Sequence, residues 1–180
     1  MTSSRYTYLL CTCLLASLLP LHAQTFPDVM IGDTISIRYS YTWNAAPNYY
    51  LSAEKMTNSP ANSGFGTDTP SEYTLWVVSS PANTSQTGFC LKNVSKGTWL
   101  RLSYPAEMAL VDNHTNATIL GAVTTTSSLD YATQDRATVY LTYKPGNDTY
   151  YIYTSYHIWR STRYTPNYSL VIERWTQHSQ

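Results

Sequence analysis

Apolar and polar positions alternate along most of the chain from residue 34 onward. Ile35, Ile37 and Tyr39 fall on one side and Ser36, Arg38 and Ser40 on the other; Phe89 and Leu91, then Val139, Leu141 and Tyr143, repeat the arrangement. A period of two marks strands with one face buried. No segment carries the helical period with caps. The strands recur as sets. The first set reads Thr34–Tyr39, Tyr49–Ala53 and Tyr73–Val78, the second Gly88–Asn93, Thr98–Leu102 and Ala117–Gly121, the third Thr138–Tyr143, Tyr150–Thr154 and Tyr168–Glu173. A weaker strand is expected within each set, near Glu54–Thr57, Met108–Val111 and His157–Arg160. Turn chemistry separates them at Asn44–Pro47, Lys96–Gly97 and Pro145–Asp148, and Asn58–Thr69 and Thr124–Asp135 read as long loops. Self-similarity at a period of about 50 residues signals a repeat architecture. It predicts that Ile37, Leu91 and Leu141 are equivalent, as are Leu51, Leu100 and Ile152, and Leu75, Ile119 and Leu170.

Three units of four strands resemble an all-β fold, the β-trefoil, in which six strands form a barrel and three hairpins cap it about a pseudo-threefold axis. The second unit carries the motif. Its Phe89-x-Leu91-x-Asn93 followed by Lys96-Gly97-x-Trp99-Leu100 is similar to the opening of ricin-B-type and fascin-like repeats. The Gln-x-Trp that closes ricin-B repeats is missing, and the last strands read Leu75-Trp76-Val77, Ile119-Leu120-Gly121 and Leu170-Val171-Ile172. A ricin-type sugar site therefore does not follow from the resemblance. The alternative is an immunoglobulin-like β-sandwich, but the Cys…Trp…Cys spacing is missing and a sandwich gives no reason for a threefold repeat.

The first residues differ from the rest. Arg5 precedes an apolar run of roughly a dozen residues that closes on Leu21-His22-Ala23, the pattern of a secretory signal peptide cut after Ala23. The run is shorter than the roughly 20 residues that span a bilayer. The expected organisation is a signal at 1–23 and one domain at 24–180, with units at about 33–81, 84–127 and 136–176. The mature chain is expected to be secreted and extracellular, without membrane insertion. Cys11 and Cys13 would leave with the signal, so Cys90 would stand alone and no disulfide would form. Formal charge is zero over the whole chain and −1 once Arg5 is gone, with both signs mixed. Nucleic acid and anionic surfaces thus have no electrostatic footprint to bind. A surface of Tyr, Thr, Ser and Asn suits neutral ligands.

Enzyme signatures fail in turn. Gly-x-Ser-x-Gly, Walker and His-Glu-x-x-His patterns are absent, and His114, His157 and His178 lack metal-ligand spacing, so no cofactor is expected. Glu107, Asp112, Asp130, Asp135 and Asp148 fall at turns, where acidic residues are ordinary. Six sequons stand out: Asn83, Asn93, Asn113, Asn116, Asn147 and Asn167 each begin Asn-x-Ser/Thr, against roughly two or three expected by chance. Asn83, Asn147 and Asn167 lie in predicted turns and are the expected carriers, with Asn116 beside Asn113; Asn93 continues an inward alternation. Sugar sites stack a flat ring on Trp or Tyr beside convergent polar groups. In the ricin-like pattern such residues cluster around the third strand of a unit. The resemblance therefore implies Asp112 and Asn113 in the second unit and Tyr156, His157 and Trp159 in the third as candidate ligand-binding residues, with Trp43 in a turn of the first. Trp76, Trp99 and Trp175 are assigned to the core or barrel ends. The expected function is carbohydrate binding without catalysis, the partner being a glycan or an extracellular protein. The alternatives are a protease inhibitor using 58–69 or 124–135 as its loop, and a protein-interaction module.

Overall fold

The computed structural model describes residues 26–39, 49–58, 64–103, 107–125, 131–155 and 158–176. The signal-peptide expectation falls outside them, as do Trp43, Tyr156 and His157. The fold is all-β and antiparallel. Its strands are β1 (Thr34–Tyr39), β2 (Tyr49–Ser52), β3 (Gly64–Thr67), β4 (Leu75–Ser79), β5 (Cys90–Asn93), β6 (Trp99–Ser103), β7 (Glu107–Val111), β8 (Leu120–Thr124), β9 (Arg136–Tyr143), β10 (Tyr150–Ser155), β11 (Ile158–Thr162) and β12 (Leu170–Arg174). Two short helical turns, α1 (Phe26–Met30) and α2 (Tyr131–Gln134), precede β1 and β9. Among the described residues no helix is long and apolar enough to cross a membrane.

The pairings form a circuit. β12 pairs with β1, β1 with β4 and β4 with β5. The Phe89–Leu120 bridge links the start of β5 to β8, β8 pairs with β9, and β9 returns to β12. Three hairpins, β2–β3, β6–β7 and β10–β11, each attach to the strand before them in the chain, namely β1, β5 and β9. β3 also pairs with β11, so two of the hairpins touch edge to edge.

The alternating positions converge on one core. Ile35, Ile37, Leu91, Val139, Leu141 and Ile172 are fully buried in it, together with Leu51, Leu100 and Ile152 from the hairpins. Each such side chain contributes on the order of 2 kcal/mol of apolar burial. Ile37, Leu91 and Leu141 therefore belong to one core, as do Leu51, Leu100 and Ile152, in keeping with the repeat. The third predicted trio does not hold. In the second set Leu120 is buried while Ile119 is only partly so, and the strand begins there and not at Ala117. Thr118 explains the shift. Its N–H donates to Leu100 O at 3.0 Å and its Oγ1 accepts from Leu102 N–H at 2.7 Å, so it binds the edge of β6 before the chain reaches β8.

Two further expectations are corrected. Glu54–Thr57 is not a strand; Glu54 and Lys55 form a turn, and the third strand of the first set is β3. That strand lies inside Asn58–Thr69, which reads as loop because Gly64 and Gly66 weaken the strand signal. Likewise, residues 131–134 of the second expected loop form α2.

The motif residue Asn93 is buried and structural. Its Nδ2 donates to Tyr73 O at 2.9 Å and Leu75 O at 3.1 Å, and its Oδ1 accepts from Lys96 N–H at 3.0 Å. It thereby ties the β5–β6 turn to the start of β4. Gly97 completes that turn at φ +67°, a left-handed conformation that glycine adopts without strain.

Candidate functional site: a polar cleft beside β5

The connection from β4 to β5 and the connection from β7 to β8 lie against each other. Gly88 makes this possible. At φ +122°, a Cβ on it would press on the Leu120 carbonyl oxygen and come 2.8 Å from Ile119 Cγ2. With only hydrogen there, Phe89 and Leu120 exchange backbone hydrogen bonds of 2.9 and 2.8 Å and pin the two connections together. Between them lies a cleft of about 150 Å³. Asn83, Gln86, His114 and Thr115 supply its polar lining, and Ala82, Cys90, Ala117 and Ile119 its apolar lining.

Both walls are built on the same local device. Asn83 Oδ1 accepts from the Ser85 N–H at 3.1 Å and the Ser85 hydroxyl at 2.8 Å, while Gln86 N–H closes the turn onto Asn83 O at 3.1 Å. Across the cleft, Asn113 Oδ1 accepts from Thr115 N–H at 3.0 Å and Thr115 Oγ1 at 2.9 Å, capping the 3-10 turn His114–Asn116. Short polar side chains that bond their own backbone in this way favour turns over strands.

His114 is the chemically open member. Its ring stacks on Trp99 with centroids 3.7 Å apart and planes 6° from parallel, and Lys92 Nζ lies 5.6 Å from the same indole. The imidazole Nε2 is buried and makes no hydrogen bond among the described residues. A buried nitrogen left unpaired costs on the order of 1–3 kcal/mol. Cys90, by contrast, is closed to chemistry. Burial pushes its thiol up to about 11, leaving about one part in ten thousand as thiolate at neutral pH. It acts as a small apolar wall.

The sequence-predicted residues are placed unevenly. Asp112 and Asn113 are exposed and sit immediately before His114, so the predicted neighbourhood contains the cleft, although Asn113 spends its side-chain oxygen on the cap. Trp159 is corrected. It is fully buried in the core, on the β11 position opposite Thr154, and has no face open to a ligand. Its polar neighbour Arg160 points the other way, as period two requires, and so says nothing about the face that Trp159 occupies. Trp76 is a core residue, with its Nε1 donating to Leu51 O at 3.0 Å. Trp99 is half-buried beneath His114. Asn83, Asn116, Asn147 and Asn167 are all exposed, and so is Asn113, whereas Asn93 is not.

Gln86 and His114 were not singled out for this site. The only available hints were the Asn-x-Ser/Thr pairs at Asn83 and Asn113, which mark turns as well as sequons. Comparison of the chain with protein-family models finds no match, and a search among curated proteins finds none either.

Proposed function

We propose that the chain is a secreted, non-catalytic β-trefoil of three four-stranded units that binds carbohydrate at the cleft beside β5. The trefoil reading is supported by the six-strand circuit of pairings, by three hairpins attached at corresponding places, and by two of the three predicted trios of core residues. The ligand reading is carried by one observation: His114, whose buried Nε2 has no hydrogen-bond partner among the described residues, lines the cleft together with the uncharged Asn83, Gln86 and Thr115. Such a lining offers donors and acceptors without formal charge, which matches sugar hydroxyls better than phosphate or carboxylate. The volume is below the roughly 300–1,000 Å³ of sites that enclose whole drug-sized ligands, so the cleft would seat one terminal residue of a glycan. The inhibitor alternative rests on segments whose centres, 59–63 and 126–130, lie outside the described residues, and no observation favours it.

The test is titration with methyl glycosides of galactose, mannose and N-acetylglucosamine by saturation-transfer NMR. Saturable binding at millimolar concentration is expected, lost in His114→Ala. Absence of binding of all three by the folded wild-type chain made unglycosylated in a bacterial host would remove the reading.

A further inference from the structure

We propose that N-glycosylation of Asn83 closes the cleft, so that only chains unmodified at this position take a free sugar. The choice of a sugar as the excluded ligand rests on the function proposed above; the modification and the covering of the cleft do not. Among the sequon asparagines, Asn83 alone contributes to the cleft lining. Its Oδ1 is occupied by Ser85, the hydroxyl residue of its own sequon. That leaves Nδ2 without a partner among the described residues, on an exposed side chain.

Asn93 is the contrast within the same molecule. Its Nδ2 is committed to two carbonyls in the core, and a glycan there is incompatible with the fold. Asn147 and Asn167 are exposed in the β9–β10 turn and the β11–β12 connection, and neither lines the cleft. They are built-in controls.

The chemistry is a group transfer. Asn83 Nδ2 attacks the anomeric carbon of an N-acetylglucosamine carried on a polyprenyl pyrophosphate. The carbon–oxygen bond to pyrophosphate breaks, the polyprenyl pyrophosphate leaves with the electron pair, and Nδ2 loses one proton. The first sugar is then tethered at the wall, at an effective concentration in the millimolar range or above, where a free monosaccharide cannot compete.

The experiment compares chains secreted from one glycosylating cell line. Ser85→Ala removes the acceptor sequence and the hydroxyl bond to Asn83 Oδ1 but keeps the backbone one, and Ser85→Thr restores the sequence. Wild type made unglycosylated in a bacterial host shows the His114 signals of an open cleft with both bonds intact. Peptide mass mapping reads occupancy at each asparagine. Methyl N-acetylglucosaminide, methyl galactoside and methyl mannoside report binding, and the His114 ring NMR signals report covering of the cleft without any added ligand. Expected are a glycan at Asn83, none at Asn93, binding at least tenfold weaker in wild type and Ser85→Thr than in Ser85→Ala, and His114 signals that differ between the two groups. Asn147→Gln should leave the cleft closed. An unmodified Asn83 in the secreted wild type overturns the proposal, as do His114 signals identical in wild type and Ser85→Ala. If no variant binds a glycoside but the His114 signals still follow Asn83 occupancy, closure stands and the carbohydrate reading falls.

Discussion

Two clusters of polar side chains sit at different places on the same antiparallel sheet, and they are finished to different degrees. Around Arg174, at the end of β12, every charged group is matched. Its Nε donates to Asp33 Oδ2 at 3.0 Å, its Nη1 to Asp135 Oδ1 at 2.6 Å, and its Cζ lies 4.7 Å from the Tyr131 ring centroid. Tyr131 in turn donates to Asp33 Oδ2 at 2.9 Å and takes the edge of Phe26 at 5.8 Å. This clasp joins α1, α2, β1 and β12. Beside β5, the cleft keeps a buried imidazole nitrogen unpaired and two asparagines that bond only within their own turns. Saturated hydrogen bonding is what a structural cluster needs, and residual capacity is what a binding site needs. An unpaired atom alone does not mark a site, since Trp159 Nε1 in the core also lacks a partner among the described residues; at His114 it coincides with a cleft.

The comparison can be broken most forcefully at Gly88. Gly88→Ala places a methyl against the Leu120 carbonyl at a positive φ, and should cost about 3 kcal/mol or more and spoil the cleft together with the stability. Chemical denaturation and glycoside titration of the same preparation read both losses.

Alkaline pH comes next, and it should act on both regions. Burial, first, and then the bond to Asp33 raise the Tyr131 phenol well above its ordinary 10.0; burial raises Cys90 from 9.0 to about 11. An acid whose folded pKa is raised leaves stability intact below its unfolded value and costs stability as pH climbs toward the folded one. Unfolding free energy should therefore fall between pH 9 and 11, by about 2–3 kcal/mol from the thiol in full. Cys90→Ala should flatten that part of the profile, and Tyr131→Phe the part beginning near pH 10.

Arg174→Ala should cost about 2 kcal/mol, since its hydrogen bonds are charge-assisted but its side chain is partly exposed. The midpoint of thermal unfolding should drop while glycoside affinity, measured well below that midpoint, stays unchanged. A fall in affinity would join two regions that the comparison separates. The smallest effect on stability belongs to His114→Ala, within about 1 kcal/mol because removing the unpaired nitrogen offsets the lost stacking. Its effect on binding should be complete.

Much of this fold was legible because alternation is a local signal. β1, β9 and β10 can be read from their own residues, and Ile37, Leu91 and Leu141 share one core because period two places each on the inward face. Asn93 was legible as an inward position for the same reason. β3 was not, since Gly64 and Gly66 bring little strand propensity and the strand is held by its neighbours β2 and β11. Trp159 misled because a strand residue shares its face with positions two away, while its immediate neighbours report the opposite face. The cleft was legible only in part. Asp112 and Asn113 mark its edge, but Gln86 and His114 meet through the pairing of Phe89 with Leu120, a long-range closure that no local pattern announces.

The backbone at the two ends of the strand circuit carries a practical consequence. Trp175 N–H donates to Thr34 O at 2.7 Å, and Ile35 lies opposite Arg174 in the β1–β12 ladder. A Gly-Ser linker can therefore join the chain after β12 to the chain before α1, keeping Asp33 and Met30, and new termini can be cut in the exposed Pro145–Asp148 turn. Such a circular permutant would begin at β10 and end with β9, and it would keep every hydrogen bond of the sheet. Its folding rate would report how far the order in which the strands are synthesised matters.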